Sequence, residues 1–210
     1  MHSYNLESVD FKKVLRRKLK FDTIKNAHMA LTKSERKLKK GDQAPDFNLQ
    51  GIDSKTYSLA DFAGKEGTMI IFMCNHCPYV RAKIAPIIEL YKKYGDKIGV
   101  IGINSNDPAY PGEGMENMKA FAKERGIEFP YVLDDTQEAA KAYGATCTPD
   151  PFLFDRERKL VFHGRINDEM EPGDPVSENT MADTVEKLIR GEEIGDEFKP
   201  SMGCSIKWIS

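Results

Sequence analysis

The feature that most constrains the fold is a junction between an apolar run and a pair of cysteines. Residues 69–73 form a continuous apolar stretch of the length typical of a buried strand, and the stretch ends directly on Cys74. Apolar residues then recur at helical spacing over residues 78–94, beginning with a proline, which the first turn of a helix tolerates. We therefore predict that Cys74 and Cys77 lie on a turn between a strand and a helix.

The segments that follow predict an α/β fold. A second apolar run at residues 98–103 gives a strand–helix–strand unit, for which a right-handed crossover between two parallel strands is expected. Two short strands joined by a charged turn predict an antiparallel hairpin on the same sheet. The other predicted elements are a short helix capped by Ser58, helices at 115–125, 136–143 and 178–190, and hairpin strands at 152–154 and 160–163.

The first 40 residues differ in charge from the rest of the chain. They hold 12 Lys and Arg against 4 Asp and Glu, whereas residues 41–210 hold 19 against 29. Their apolar stripe is helical in places but narrow, and Gly41 and Pro45 end the helical pattern. We predict a basic, helical N-terminal extension over residues 1–40 and one domain with its C-terminal tail over residues 41–210.

The basic extension has two interpretations. A solvated helix that packs on the acidic body is favoured over an arm that binds nucleic acid or anionic lipid, because aromatic residues other than Phe11 and Phe21 are missing between its charges. The N-terminus also lacks the apolar stretch of a secretory signal, and no apolar run of membrane-spanning length occurs. The expectations are a cytoplasmic protein with neither a nucleic-acid nor a membrane partner; its oligomeric state is left open.

The spacing of Cys74 and Cys77 predicts thiol–disulfide chemistry. A thiolate is the reactive species in disulfide exchange, and the first turn of a helix lowers a thiol pKa. Cys74 is expected to occupy such a place and to attack, while Cys77, one turn later, resolves the mixed disulfide. His76 lies between them, where an imidazolium would stabilise the Cys74 thiolate.

A structural metal site is the alternative interpretation of the cysteines. The chain has four of them, the number that tetrahedral zinc requires, and His76 or His163 could replace one. Such sites usually show two close pairs, however, and Cys147 and Cys204 are far apart in sequence. We therefore predict no bound metal and, since no nucleotide-binding glycine-rich loop follows a strand, no other cofactor.

Four segments resemble a known family across about residues 41–208. The chain is similar to the thioredoxin-like proteins of the alkyl-hydroperoxide-reductase/thiol-specific-antioxidant (AhpC/TSA), or redoxin, group. It is most similar to a peroxiredoxin-like branch with a thioredoxin-type Cys-x-x-Cys and a tail of the form of residues 200–204. The segments are Gly41-x-x-Ala44-Pro45-Asp46-Phe47-x-Leu49, Ser58-Leu59-Ala60-Asp61-Phe62-x-Gly64-Lys65, Cys74-Asn75-His76-Cys77-Pro78-Tyr79 and Thr148-Pro149.

The resemblance implies a thioredoxin-like fold in which a central mixed β-sheet is flanked by helices. It implies a cis proline at Pro149, after Thr148, that faces the dithiol and leaves a backbone edge free for a substrate segment whose sulfur meets Cys74. Cys147 should approach the dithiol, where it is an extra resolving thiol or exchanges with Cys204 if the tail folds back over the site. A buried inert thiol is the alternative for each of these two cysteines. Trp208 is expected to anchor the tail by burying its ring.

The predicted function is thiol:disulfide oxidoreductase, with a redox-active Cys74–Cys77 disulfide and a protein disulfide, dithiol or reductase as partner. The alternative that the family implies is an antioxidant thiol peroxidase that acts on peroxide, with Arg81 or Arg125 supplying positive charge. The chain departs from the peroxidase pattern, because Ile71 stands where a Thr or Ser would precede the peroxide-reacting cysteine by three positions. The other alternative is a Cys/His metal-binding protein.

Overall fold

A computed structural model describes residues 31–210 of the chain, which form one compact unit. The part of the predicted extension before residue 31 lies outside the described residues. The strands are β1 (Leu31–Lys33), β2 (Leu49–Gly51), β3 (Thr56–Tyr57), β4 (Gly67–Phe72), β5 (Ile98–Asn104), β6 (Tyr131–Leu133), β7 (Cys147–Thr148), β8 (Asp150–Asp155), β9 (Leu160–His163) and β10 (Met202–Ser205). The helices are α1 (Pro78–Tyr94), α2 (Met115–Arg125), α3 (Glu138–Tyr143) and α4 (Thr180–Arg190), with a 3₁₀ helix at Leu59–Phe62.

The central sheet is mixed, as the sequence and the resemblance predict. Its seven strands in the described part of the chain lie in the order β3-β2-β6-β5-β4-β8-β9. β4 runs parallel to β5 and antiparallel to β8, and β8 and β9 form the predicted antiparallel hairpin. Helices flank the sheet, so the predicted thioredoxin-like architecture is confirmed.

The apolar run places β4 at the middle of the core. All six of its residues are buried, which fits a strand paired on both edges and covered on both faces. On one face, Phe72 packs against the rings of Tyr143 and Phe152 at centroid distances of 5.4 and 5.9 Å. At its start, Gly67 lies against Leu188 of α4, where a Cβ would approach that side chain to 2.6 Å. The C-terminal end of β4 is therefore a rigid base for the cysteines that follow it.

A second, smaller sheet has the order β1-β10-β7 and joins segments distant in sequence. β1 pairs antiparallel with β10, and β10 pairs antiparallel with β7. Helix was expected for residues 31–33, and this is wrong, because the tail strand supplies backbone partners that local periodicity does not reveal. Residues 31–40 therefore form part of the compact unit together with the predicted domain.

The remaining predicted elements are present with small shifts of their ends. Helices α1 and α2 and strand β9 have the predicted bounds, whereas α3 and α4 begin two residues later than predicted. Apart from β9, the short strands were not predicted; they are β1, β2, β3, β6, β7 and β10. In the described part of the chain, no helix combines the length and the apolar character that crossing a membrane would require.

The predicted cap of the 3₁₀ helix offers a stability test. Ser58 Oγ accepts a hydrogen bond from the Ala60 amide, while the Asp61 carboxylate accepts one from the Ser58 amide. We expect Ser58→Ala to lower the free energy of unfolding by about 1 kcal/mol, because the cap acceptor is lost. Urea denaturation of this variant beside Ser210→Ala, which changes an exposed serine beyond the last strand, measures the difference. A loss of equal size in both variants would contradict the capping role.

Candidate active site

Cys74 and Cys77 lie on the turn that connects β4 to α1. The chain leaves β4 with the Met73 amide donating to the Ile103 carbonyl at 2.8 Å, and α1 begins at Pro78 with Cys77 as its N-cap residue. Both cysteines are free thiols and fully buried. The predicted strand–turn–helix placement is confirmed, but the residue at the helix start is Cys77. Cys74 lies three residues earlier in the turn, so its expected position in the first helical turn is wrong.

Thr148 and Pro149 face this dithiol from the other side. Their peptide bond is cis, as the resemblance implies. The Thr148 hydroxyl lies 3.1 Å from Cys74 Sγ, and the Thr148 carbonyl oxygen lies 3.4 Å from Cys77 Sγ. The residue before the cis proline therefore contacts both sulfurs, one through its side chain and one through its backbone.

The backbone edge beside the cis proline is covered by the C-terminal tail. Cys204 of β10 is the register partner of Thr148, and Ser205 is the partner of Cys147. The edge was expected to be free, and this is wrong for the described form, because β10 adds a strand there. Cys204 Sγ lies 2.7 Å from Cys77 Sγ, so the tail brings a third sulfur to the dithiol, and this sulfur meets Cys77 rather than Cys74.

The tail is held by its backbone rather than by its tryptophan. Trp208 is 43% exposed, so the expectation that its buried ring anchors the tail is wrong. Instead, the Lys207 amide donates to Asn106 Oδ1 and the Ile209 amide donates to Gln137 Oε1, both at 2.9 Å. Ile206 is buried and supplies the apolar contact.

The three sulfurs of the cluster differ in the direction in which their surroundings shift the thiol pKa. Burial acts to raise the pKa of the Cys77 thiol, but hydrogen bonds from Cys204, from Cys74 and from the backbone outweigh it and lower that pKa. Burial raises the pKa of the Cys74 thiol, and the neighbouring Cys77 sulfur and Glu113 raise it further. The hydrogen bond to Cys77 and burial raise the pKa of Cys204. In this tail-covered form the lowered thiol pKa is therefore that of Cys77, whereas the sequence predicted a lowered pKa for Cys74.

Glu113 is a site residue that sequence reasoning missed. Its side chain is fully buried beside the turn and accepts hydrogen bonds from the Asn75 amide at 3.2 Å, Asn75 Nδ2 at 3.1 Å and Asn104 Nδ2 at 2.6 Å. His76 Nδ1 pairs with it as well. A positive charge on His76 would therefore stabilise the Cys74 thiolate less than the sequence suggests, because the negative charge of Glu113 lies beside it and offsets it. The sequence signal was the pair of glycines on either side of Glu113, which indicates only a loop.

We expect the negative charge of Glu113 to raise the pKa of the Cys74 thiol, and the pH dependence of Cys74 alkylation measures this effect. In Glu113→Gln, the midpoint of Cys74 alkylation against pH should fall, because a like charge that raises the pKa of the Cys74 thiol is removed. Alkylation rates of the reduced protein, followed by mass spectrometry between pH 6 and 10, measure the midpoint. Glu116→Gln, at an exposed glutamate near the start of α2, is the matched control. Equal midpoints in the two variants would contradict this role of Glu113.

The geometry also bears on the two alternative functions. Arg81 and Arg125 both lie over the ring of Phe121 and both pair with Glu124. Arg81 Nε also donates to the Asn75 carbonyl at 3.1 Å, so this guanidinium lies beside the turn, where its hydrogen bond goes to the backbone. Among the described residues, the donor atoms gathered within 4.8 Å of one another are those of Cys74, His76 and Glu113 rather than the four cysteine sulfurs. His163, the other proposed ligand, pairs with the buried Asp150 at 2.8 Å.

Known proteins resemble this chain in sequence and in structure. A family model described as the AhpC/TSA family matches residues 40–163. Thiol-disulfide oxidoreductase ResA of Bacillus thuringiensis subsp. konkukian is 29% identical over 128 residues, which are 60% of this chain and 70% of that protein. An uncharacterized conserved protein from Geobacillus kaustophilus is 39% identical with a TM-score of 0.81, covering 86% of this chain and 97% of that one.

A more distant solved structure bears on the fold alone. The thioredoxin domain of a thiol-disulfide oxidoreductase from Bacteroides vulgatus has a TM-score of 0.58 at 22% identity, covering 72% of this chain and 99% of that domain. The mixed sheet flanked by helices agrees with this likeness. Because the family model spans more than half of the chain, the predicted resemblance is confirmed, and the chain belongs to the AhpC/TSA family with a thioredoxin-like fold.

Proposed function

We propose that Cys74 and Cys77 are the exchanging pair of a thiol:disulfide oxidoreductase whose partners are protein dithiols or disulfides. The observation that carries the proposal is that both sulfurs contact Thr148, which is the residue before the cis proline. A substrate strand that pairs with this residue would have its own sulfur beside the dithiol. Relatives that are named thiol-disulfide oxidoreductases, ResA among them, support the activity.

The reaction exchanges one disulfide bond for another, so the number of disulfide bonds is unchanged. In the reducing direction, one protein thiolate attacks a substrate disulfide, forms a mixed disulfide and expels the first substrate sulfur as a thiolate, which takes a proton. The second protein sulfur then attacks the mixed disulfide, releases the other substrate thiolate and closes the Cys74–Cys77 disulfide. Two electrons pass from the protein dithiol to the substrate, and the reverse sequence oxidises a substrate dithiol.

The tail-covered form is a resting form in this proposal, and the tail must leave before a substrate strand can pair. Departure of β10 removes the Cys204 hydrogen bond that lowers the pKa of Cys77 most, and it relieves the burial that raises the pKa of Cys74 most. Both changes move the thiolate from Cys77 towards Cys74. The proposed order for the open form is therefore attack by Cys74 and resolution by Cys77, as the sequence predicts.

Disulfide mapping in glutathione buffers tests the proposal. The Cys204→Ser variant isolates the proposed pair, since its serine cannot form a disulfide. We expect a reversible Cys74–Cys77 disulfide in alkylated samples analysed by mass spectrometry as the buffer is made more oxidising. If Cys74 and Cys77 stay alkylatable across all buffers, the exchanging pair is elsewhere and the proposal fails.

A metal site is a second candidate, favoured by one observation. The donor atoms of Cys74, His76 and Glu113 provide sulfur, nitrogen and oxygen, the ligand types that zinc accepts, within 4.8 Å of one another. Both Glu113 oxygens already accept hydrogen bonds from Asn75 or Asn104, and a metal would have to compete with them. Zinc retained by the purified protein but lost in His76→Ala would support this candidate; zinc absent from both would remove it.

Three finer parts of the sequence-based prediction stay predictions. A peroxidase and antioxidant activity would appear as peroxide consumption coupled to oxidation of Cys74 or Cys77. A cytoplasmic location would appear in cell fractionation. An assignment to the peroxiredoxin-like branch with the Ser-Met-Gly-Cys tail would be supported if proteins that share residues 201–204 also exchange disulfides through the same pair.

A further inference from the structure

Cys204 is held against the dithiol by the backbone of the fold. Its strand, β10, pairs with β1 on one side and β7 on the other. Its neighbour Gly203 lies so close to β7 that a Cβ there would be 2.0 Å from the Thr148 carbonyl oxygen. The distance of 2.7 Å between Cys204 Sγ and Cys77 Sγ is shorter than the van der Waals separation of two sulfur atoms. The contact is thus a consequence of strand pairing and close packing.

We infer that Cys204 is a third redox cysteine, which exchanges a disulfide with Cys77 and so locks the tail strand over the edge beside the cis proline. The inference rests on the proposed function, because the Cys74–Cys77 disulfide supplies the oxidised sulfur. A disulfide between Cys77 and Cys204 closes the backbone edge that a substrate strand needs. It also leaves Cys74 as a thiol that no substrate strand can reach.

The exchange needs no additional oxidant. The Cys204 thiolate attacks Cys77 Sγ of the Cys74–Cys77 disulfide, the Cys77–Cys204 bond forms, and the Cys74–Cys77 bond breaks. Cys74 leaves as a thiolate and takes up the proton that Cys204 gave up. The number of disulfides and thiols is unchanged, so the step is an isomerisation, and attack of the Cys74 thiolate on Cys77 Sγ with departure of Cys204 reverses it.

The charge of the cluster favours this step only after the dithiol has been oxidised. In the reduced form, the pKa of Cys204 is raised first by its hydrogen bond to Cys77 and next by burial. When Cys77 is part of a disulfide its sulfur carries no charge, so the first of these causes is gone. The cation of Lys207, which lowers the pKa of Cys204, remains. Cys204 therefore becomes a better nucleophile when its target appears.

Cys147 is not suited to this role. Neighbouring residues of a strand point to opposite faces, and the Thr148 side chain is the one that contacts Cys74. Cys147 has Ser205, not Cys204, as its register partner, so the pairing of Cys147 with Cys204 that the sequence left open is not favoured. Burial raises the pKa of the Cys147 thiol, which fits an inert buried cysteine.

A variant that removes Cys74 isolates the contact. Cys74→Ser is treated with oxidised glutathione, which places glutathione on Cys77, and the products are mapped by mass spectrometry after alkylation. We expect Cys204 to displace one equivalent of glutathione and to form the Cys77–Cys204 disulfide. In the Cys74→Ser/Cys204→Ser control, glutathione should stay on Cys77, whereas Cys74→Ser/Cys147→Ser should behave like Cys74→Ser.

The wild-type protein gives a second measurement that does not depend on how a variant folds. In mildly oxidising glutathione buffer, a fraction of the protein should carry the Cys77–Cys204 disulfide with Cys74 alkylatable. If Cys204 stays alkylatable in both experiments while Cys204→Ser still forms its Cys74–Cys77 disulfide, the inference is overturned and the proposed function stands. If Cys204→Ser forms no such disulfide, the proposed function itself fails.

Discussion

Serine at either Cys74 or Cys77 should reduce catalysed disulfide exchange to the uncatalysed rate. A hydroxyl forms no disulfide, so a cycle that must return to a closed Cys74–Cys77 bond cannot be completed with one sulfur. The measurement is the reduction of a disulfide-linked fluorescent peptide with dithiothreitol as the electron source. The two variants should differ in what accumulates when the reduced proteins meet the peptide in the absence of dithiothreitol: Cys77→Ser should retain the peptide on Cys74, because no second protein sulfur resolves that mixed disulfide.

The control for both variants is Cys147→Ser, which changes a buried cysteine of the same region and should keep most of the activity. If Cys77→Ser turned over at the rate of the wild-type protein, the dithiol cycle would be excluded in favour of a one-cysteine reaction. If instead the peptide accumulated on Cys77 in a Cys74→Ser/Cys204→Ser protein but never on Cys74 in Cys77→Ser, the proposed order of attack would be reversed.

The turn that carries the dithiol could be predicted because its signals are local. A buried apolar strand, two cysteines and a helix that begins at Pro78 follow one another within residues 69–94, and each signal acts over a few residues. The predicted bounds of α1 agree with the structure for the same reason. The cis proline needed the resemblance, since Thr148 and Pro149 by themselves are typical of any turn.

The contacts that modify the dithiol are distant in sequence, and periodicity does not report them. Cys204 is 127 positions from the cysteine it touches, and Glu113 is 38 positions from Asn75. β10 is only four residues long and has glycine in its centre, so its pattern resembles a loop until a partner strand is known. Partner strands, rather than propensity, determine that the tail forms a strand at this place.

The sequence predicted a lowered thiol pKa for Cys74, whereas in the tail-covered form the lowered pKa is that of Cys77, because burial and partners determine a thiol pKa. Position near a helix start is one cause among several, and here the helix starts at Cys77. Cys74 is surrounded by groups that disfavour its thiolate, namely the Cys77 sulfur and Glu113. His76, which the sequence presents as the tuning charge, is paired with that same glutamate.

Gly203→Ala should open the site by forcing the tail away from it. The added Cβ would lie 2.0 Å from the Thr148 carbonyl oxygen and 3.3 Å from the Pro149 nitrogen, and both neighbours are backbone atoms that cannot turn aside. Overpacking of this kind costs typically about 1–3 kcal/mol, which corresponds to roughly a 5- to 150-fold increase in the population of the open form. Alkylation of the dithiol in the reduced protein should accelerate by a similar factor.

Gly195→Ala is the matched control, since a Cβ at Gly195 would meet no atom within 4 Å. Its alkylation rates should equal those of the wild-type protein, so that loss of glycine flexibility is separated from displacement of the strand. Alkylation that stays slow in Gly203→Ala, in a protein whose melting temperature is unchanged, would mean that the tail does not limit access to the dithiol. Faster alkylation at Cys74 than at Cys77 would further show that opening moves the thiolate to Cys74, because only an ionised and accessible sulfur reacts quickly.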